Sequence, residues 1–308
     1  MNPLVRIIPA ALVRFFARPY VAGDSLAEAV EVAAKNLEQR GVLTSLDLLA
    51  EGIDSEDIVR ANLETYLKMV DSVASDPRFA DSSVRPTLSL KQSSYTIAPL
   101  EEGGDGAGAR EAVFSIAQAA AERDVRLTVD MESSEWTEFT LETLRELHAR
   151  GFTDVGAVIQ TRLERTEGDL DSLPQGCRVR VVIGIYQEDD SVATTDKREM
   201  KERLLRYSRR LLERGHYVEF ATHDEAYVHR FMTEVVDELG LDASRYEVQL
   251  LYGVPRDGLV RTLLERGVRV RLYVPFAIGW SMAIAYLRRR LDEYPAMMFL
   301  VAKNLLRL

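Results

Sequence analysis

RVRVVIGIYQEDDSVATTDKREMKERLLRYSRRLLERGHYVEFAT, residues 178–222, contains one complete strand–helix–strand unit. Its first part, Arg178 to Ile183, is a short β-branched run of the kind that forms a buried strand. Thr195 to Arg214 follows with Leu204, Leu205, Leu211 and Leu212 at helical spacing, and Tyr217 to Thr222 returns to strand character. Moving outward, the same alternation holds along most of the chain. Strand candidates occur at Leu43 to Leu49, Thr87 to Lys91, Arg126 to Asp130, Val155 to Gln160, Tyr246 to Leu251 and Arg269 to Pro275. With the two in the opening unit they make eight, separated by helical patterns such as Ser55 to Val73. Eight strands each followed by a helix is the arithmetic of a closed parallel (β/α)8 TIM-type barrel. The rival, a doubly wound open sheet, normally carries a GxGxxG turn after an early strand, and the sequence has none.

Ahead of the barrel, Ser25 and Glu28 have capping-box spacing, and apolar positions Leu26, Val30, Ala33 and Leu37 define a helix stopped at Gly41. We therefore expect an N-terminal helical arm over residues 1–41 and a catalytic barrel over 42–308. The run Leu4 to Val21 is apolar but broken by Arg6, Arg14 and Arg18, so it reads as an amphipathic helix rather than a membrane span. Such a helix either packs on the domain or lies at a membrane surface, and Met297 to Leu308 has the same character. The glycine-rich patch EEGGDGAGAR, Glu101 to Arg110, is acidic and does not run straight from a strand into a phosphate-cradling turn, so it reads as a flexible loop.

Composition removes several function classes. A formal charge of −10 on 308 residues argues against general nucleic-acid binding, which needs clustered Lys and Arg. A single cysteine, Cys177, permits no intrachain disulfide and suits the reducing cytoplasm. The four histidines lack metal-ligand spacing, so no metal is expected. A small-molecule enzyme remains.

In a parallel barrel the functional side chains project from the C-terminal strand ends. Those ends supply Lys91, Asp130, Gln160, Thr222 with His223, and Tyr273, while strand five carries Arg180 and leads through Gly184 to Tyr186. A further cluster lies in AYLRRRLDE, where Tyr286, Arg289, Arg290 and Glu293 share one helical face. Two adjacent guanidiniums grip a carboxylate through forked, charge-assisted hydrogen bonds.

The segments SLKQSS, TVDME, VGAVIQTRLERTEGDL, RVVIGIYQE, EFATHDE, YEVQLLYG, RLYVP and AYLRRRLDE resemble the proline dehydrogenase family in order and spacing, over nearly the whole chain. That resemblance implies a barrel with FAD across its mouth, oxidising L-proline or a close cyclic amino acid to Δ1-pyrroline-5-carboxylate. It also implies electron transfer to a membrane quinone, with peripheral contact at the inner face of the membrane. By motif, Asp130 and Arg180 are the catalytic residues. Lys91, Leu251, Tyr273, Tyr286, Arg289, Arg290 and Glu293 would bind substrate, the two arginines holding its carboxylate and Glu293 orienting them. Met131, Gln160, Arg180, Val182, Ile183, Gly184, Ile185, Thr222 and His223 would contact the cofactor. Hydride transfer asks mainly for positioning of a ring carbon against the flavin, which such a pocket provides.

Three features depart from the family pattern. Ile183 and Ile185 stand where a lysine and an alanine usually flank the glycine, Arg162 replaces a tyrosine, and YVPFAIG carries about one extra residue before the arginine helix. The isoleucines give a second reading, a catalytically altered relative that uses the barrel as a binding scaffold.

Overall fold

The computed structural model describes residues 19–50, 52–279 and 284. Tyr286, Arg289, Arg290 and Glu293 lie outside the described residues, as do Met297 to Leu308 and all of the N-terminal run before residue 19.

Helix α1, Leu26–Arg40, starts as its spacing predicts: Ser25 Oγ accepts from the Glu28 backbone N–H, and the Glu28 carboxylate accepts from the Asp24 N–H. The eight strands are β1 Leu43–Leu48, β2 Thr87–Leu90, β3 Leu127–Val129, β4 Val155–Gln160, β5 Arg178–Val182, β6 Tyr217–Ala221, β7 Tyr246–Leu251 and β8 Val270–Phe276. All pairings are parallel and the order β1 through β8 closes on itself, giving the (β/α)8 barrel. Closure is extensive, since β1 and β8 pair from Leu43 with Arg271 to Leu48 with Phe276.

Six more elements surround the strands: α2 Glu56–Ser75, α3 Ala109–Glu122, α4 Trp136–Ala149, the single turn α5 Thr166–Asp169, α6 Lys197–Glu213, and α7 Glu225–Arg230. The last continues as a π-helical stretch over Phe231–Asp237, and α8, Asp257–Glu265, precedes β8. Outward-facing strand residues Leu46, Leu88, Val129, Val179, Phe220, Val248 and Val274 are fully buried under these helices. Burial of each such side chain contributes roughly 1.5–3 kcal/mol. Helix α1 packs against both β1 and β8, with Ala29, Ala33 and Ala34 buried at the contact. It thereby covers the outside of the seam where the barrel closes.

The glycine-rich patch is a built turn rather than a loose loop. Gly104 and Gly106 donate to Pro99 O and Ala98 O, each at 2.9 Å, and the Glu101 carboxylate accepts from Trp136 Nε1. A Cβ on Gly104 would stand 2.2 Å from Ala98 O, so this close approach requires glycine. From Ala109 the stretch is helical, as the start of α3. No described helix is long and apolar enough to cross a membrane.

Candidate active site

Along each strand the residues that do not face the helices face the barrel axis, and here they carry charge. Four cations (Lys91, Arg178, Arg180, Arg271) and four carboxylates (Asp47, Asp130, Glu219, Glu247) meet there, mostly from neighbouring strands, with Arg180 of β5 reaching past β4 to Asp130. Branched apolar residues usually fill such an interior. Filling it with ions demands that nearly every one be paired.

The network has two levels. Near the N-terminal ends, Arg271 grips Glu247 through Nε at 2.6 Å and Nη2 at 3.1 Å, and Arg178 pairs with Glu219. Gln249 joins the levels: Nε2 donates to Glu219 and Glu247, both at 2.7 Å, and Oε1 accepts from Arg180 Nε at 2.6 Å. Arg180 then reaches up to Asp130 Oδ1 at 2.8 Å and Ser89 Oγ at 3.0 Å.

At the upper level Asp130, the first residue beyond β3, is the hub. It accepts from Tyr273 Oη at 2.7 Å and Ser89 Oγ at 2.9 Å, besides Arg180. Lys91, one residue beyond β2, lies 3.4 Å from Asp130 Oδ2 and 3.2 Å from Tyr273 Oη, but its nearest carboxylate is Asp47 at 2.8 Å. Four residues expected from the sequence, Lys91, Asp130, Arg180 and Tyr273, thus form one hydrogen-bonded cluster.

The remaining expected residues lie around it. Gln160 ends β4 with Nε2 donating to Glu132 O at 2.7 Å, and Met131 is buried next to Asp130 in sequence. Val182 ends β5, and Ile183, Gly184 and Ile185 form the half-buried turn after it. Gly184 has φ 99°, and a Cβ there would stand 2.4 Å from Gln160 Oε1, so only glycine fits between them. Beyond β6, Thr222 Oγ1 accepts from the Asp224 N–H, and His223 Nε2 accepts from the Leu251 N–H at 3.2 Å. That bond brings the ends of β6 and β7 together. Neither isoleucine brings a polar side-chain group to the turn.

A family comparison decides what this arrangement belongs to: the proline dehydrogenase model matches residues 30–300. The chain belongs to the proline dehydrogenase family. It is 32% identical to proline dehydrogenase of Deinococcus radiodurans over 293 residues, spanning 94% of this chain and 90% of that one. Proline dehydrogenase 1 of Bacillus subtilis strain 168 is 31% identical over 305 residues, spanning 99% and 95%. Among solved structures, proline utilization A of Bdellovibrio bacteriovorus, inactivated by N-propargylglycine, superposes with a TM-score of 0.76 at 22% identity. That match covers 91% of this chain and 33% of the larger protein, and it bears on the fold alone.

In this proline dehydrogenase family member the central charges are held by opposing forces. Burial pushes Asp130 toward neutrality, but Lys91 and Arg180 overcome it and hold the carboxyl below its ordinary range. For Asp47 burial wins over the attraction of Lys91, and its carboxyl is raised. Lys91 is desolvated too, yet Asp47 and Asp130 together keep it charged far above neutral pH. His223 is the opposite case: burial, then Arg256, lowers it to about 4, so the ring is neutral at pH 7.

Sequence reasoning did not find Asp47, Ser89, Gln249, Glu219, Glu247 or Arg271. Their signal is the polar–apolar alternation in TSLDL, TLSL, YVEFA, YEVQLL and VRLY. In a barrel whose outer faces are apolar, those polar positions point inward.

Proposed function

We propose that this protein is an FAD-dependent proline dehydrogenase, oxidising L-proline or a close cyclic amino acid to Δ1-pyrroline-5-carboxylate and delivering the electrons to a quinone. The observation that carries the reading is a set of buried polar atoms without hydrogen-bond partners. Gln160 Oε1, Arg180 Nη2 and His223 Nδ1, from three consecutive strands and their ends, all lack one. Buried polar groups are rarely left unpaired, so orphans gathered at one end of a barrel mark the place of a polar ligand. An acceptor, a cationic donor and an imidazole nitrogen suit the hydrogen-bonding edge and ribityl hydroxyls of a flavin. The residues present fit the group.

When bound, FAD supplies the two-electron acceptor for the hydride. The rest falls to this chain. Asp130 and Gln249 lock Arg180 so that Nη2 keeps one orientation, and its charge would stabilise negative charge placed beside it. Lys91 and Tyr273 are fixed by Asp47 and Asp130, so the substrate meets an ordered wall completed by Leu251 and Tyr286. Arg289 and Arg290, steadied by Glu293, take the substrate carboxylate. Met131, Val182, Ile183, Gly184, Ile185, Thr222 and His223 line the cofactor side. Water excluded by this wall is also kept from the product imine. Residues 42–308 form the catalytic unit in this reading, with 1–41 as the arm and any membrane contact peripheral.

The test is the visible spectrum of the purified, FAD-reconstituted protein before and after anaerobic addition of proline. Flavin absorbance that bleaches supports the reading. A colourless protein, or one unbleached by proline, hydroxyproline and pipecolate alike, sinks it in favour of a binding scaffold.

A further inference from the structure

Arg162 stands two residues beyond the end of β4, in a tightly held turn. Its backbone N–H donates to Ile183 O at 3.1 Å, and its carbonyl accepts from the Thr194 N–H at 2.8 Å. The side chain crosses over Gly184, where a Cβ would lie 2.8 Å from Arg162 Cδ. Nη1 donates to the Tyr186 carbonyl, while Nε is buried without a partner. Lys91, Arg178, Arg180, Arg203 and Arg271 each have a carboxylate within ion-pair distance. Arg162 has none among the described residues; its one described side-chain bond is to a neutral carbonyl.

A half-buried guanidinium without a counter-ion is costly, and this chain carries a net charge of −10, so carboxylates are not scarce. The free N–H therefore points to an anion brought from outside. Gln160 Oε1, also unpartnered, lies against the same face of that glycine. With no Cβ, Gly184 leaves room for both side chains to lie against its backbone. Ile183 and Ile185 bring no charge, although the resemblance to proline dehydrogenases leads one to expect a lysine at position 183.

We propose that Arg162 anchors the diphosphate of FAD, a cation moved in this chain from the turn after β5 to the turn after β4. The inference rests on the reading of FAD as cofactor. The choice of the diphosphate follows from position. The reactive ring belongs beside Asp130, Arg180, Lys91 and Tyr273 at the barrel axis, whereas Arg162 lies past a strand end, where the tail of the molecule must run. The diphosphate is the anionic part of that tail, and a guanidinium fork matches its oxygens.

Titration of free FAD and of free riboflavin with the full-length apoprotein, followed by flavin fluorescence quenching, tests this. R162M weakens FAD binding by about tenfold or more, the size of one charge-assisted hydrogen bond, and leaves riboflavin binding unchanged because riboflavin has no phosphate. Adding I183K to R162M restores FAD affinity by returning a cation to the neighbouring turn after β5, whose backbone is bonded to Arg162. The proposal is overturned if R162M binds FAD as the parent does, or if it loses FAD and riboflavin equally and I183K brings back neither. Failure of the cofactor reading looks different: the parent protein itself then binds no FAD.

Discussion

Replacing Lys91 with methionine removes the one charge that holds two buried carboxylates together, while keeping the length of the side chain. The consequences for those carboxylates differ. Asp130 keeps Arg180, Ser89 and Tyr273 as partners. Asp47 loses the only cation within ion-pair distance of it among the described residues. Unit charges 2.8 Å apart attract by about 6 kcal/mol at an effective dielectric of roughly 20. Part of that offsets desolvation, and deleting one partner of a buried pair costs about 3–5 kcal/mol. We expect that loss at pH 8, read from urea unfolding. Asp47, already raised by burial, then rises further, so the folded variant binds a proton that the unfolded chain releases. Stability of K91M therefore increases as pH falls from 8 toward 5.5, by at most about 1.4 kcal/mol per pH unit. Adding D47N at pH 8 recovers at least half of the loss, whereas adding D130N recovers little. A K91M loss below about 1 kcal/mol, or equal recovery from both second changes, would refute the assignment of Asp47 as the principal counter-ion.

Gly184→Ala forces a Cβ into a left-handed backbone 2.4 Å from Gln160 Oε1. It should lower stability by about 1–3 kcal/mol and weaken flavin binding; unchanged melting and unchanged fluorescence quenching would contradict the geometry. His223 is held near 4 in the folded protein against about 6.5 when unfolded, so its contribution is full above pH 6.5 and is lost as pH falls toward 4. In urea unfolding at pH 7 and pH 4.5 the parent should lose about 2–3 kcal/mol more than His223→Gln, and parallel curves would count against a buried neutral ring. Glu247→Gln leaves Arg271 buried beside a neutral amide and should cost about 3–5 kcal/mol, most of it recovered in the double variant E247M/R271M. A double variant no more stable than E247Q would mean that packing, not charge, sets the loss.

The strands were readable because two signals coincide in them: an outward apolar face at every second residue, and turn chemistry at both ends. Val155–Gln160 and Tyr246–Leu251 agree with the sequence reading to the residue. Lys91, Asp130 and Thr222 fall one position past their strands, because the last side chain to point inward need not belong to the last paired residue. Local pattern does not tell which inward polar groups meet. Asp47 and Lys91 are 44 positions apart, and their contact follows from the pairing of β1 with β2, which no window of sequence encodes. The same holds for Gln249, whose amide touches residues from β5, β6 and β7. The glycine-rich patch differs from its sequence pattern for another reason: glycine suggests freedom, while here it permits close backbone packing against Ala98.

Helix α1 over the β1–β8 seam sets a timetable for biosynthesis. The β8-facing side of that helix and the free edge of β1 have no partner until β8 exists, about 230 residues later. Ribosomes add about 5–20 residues per second, so this first piece waits on the order of 10–50 s with an apolar face and a strand edge open to water. Contacts of such long sequence separation also form late in refolding. The joint that makes the finished barrel continuous is thus the one a nascent chain must guard longest, and a chaperone that binds extended apolar segments would find its first target there.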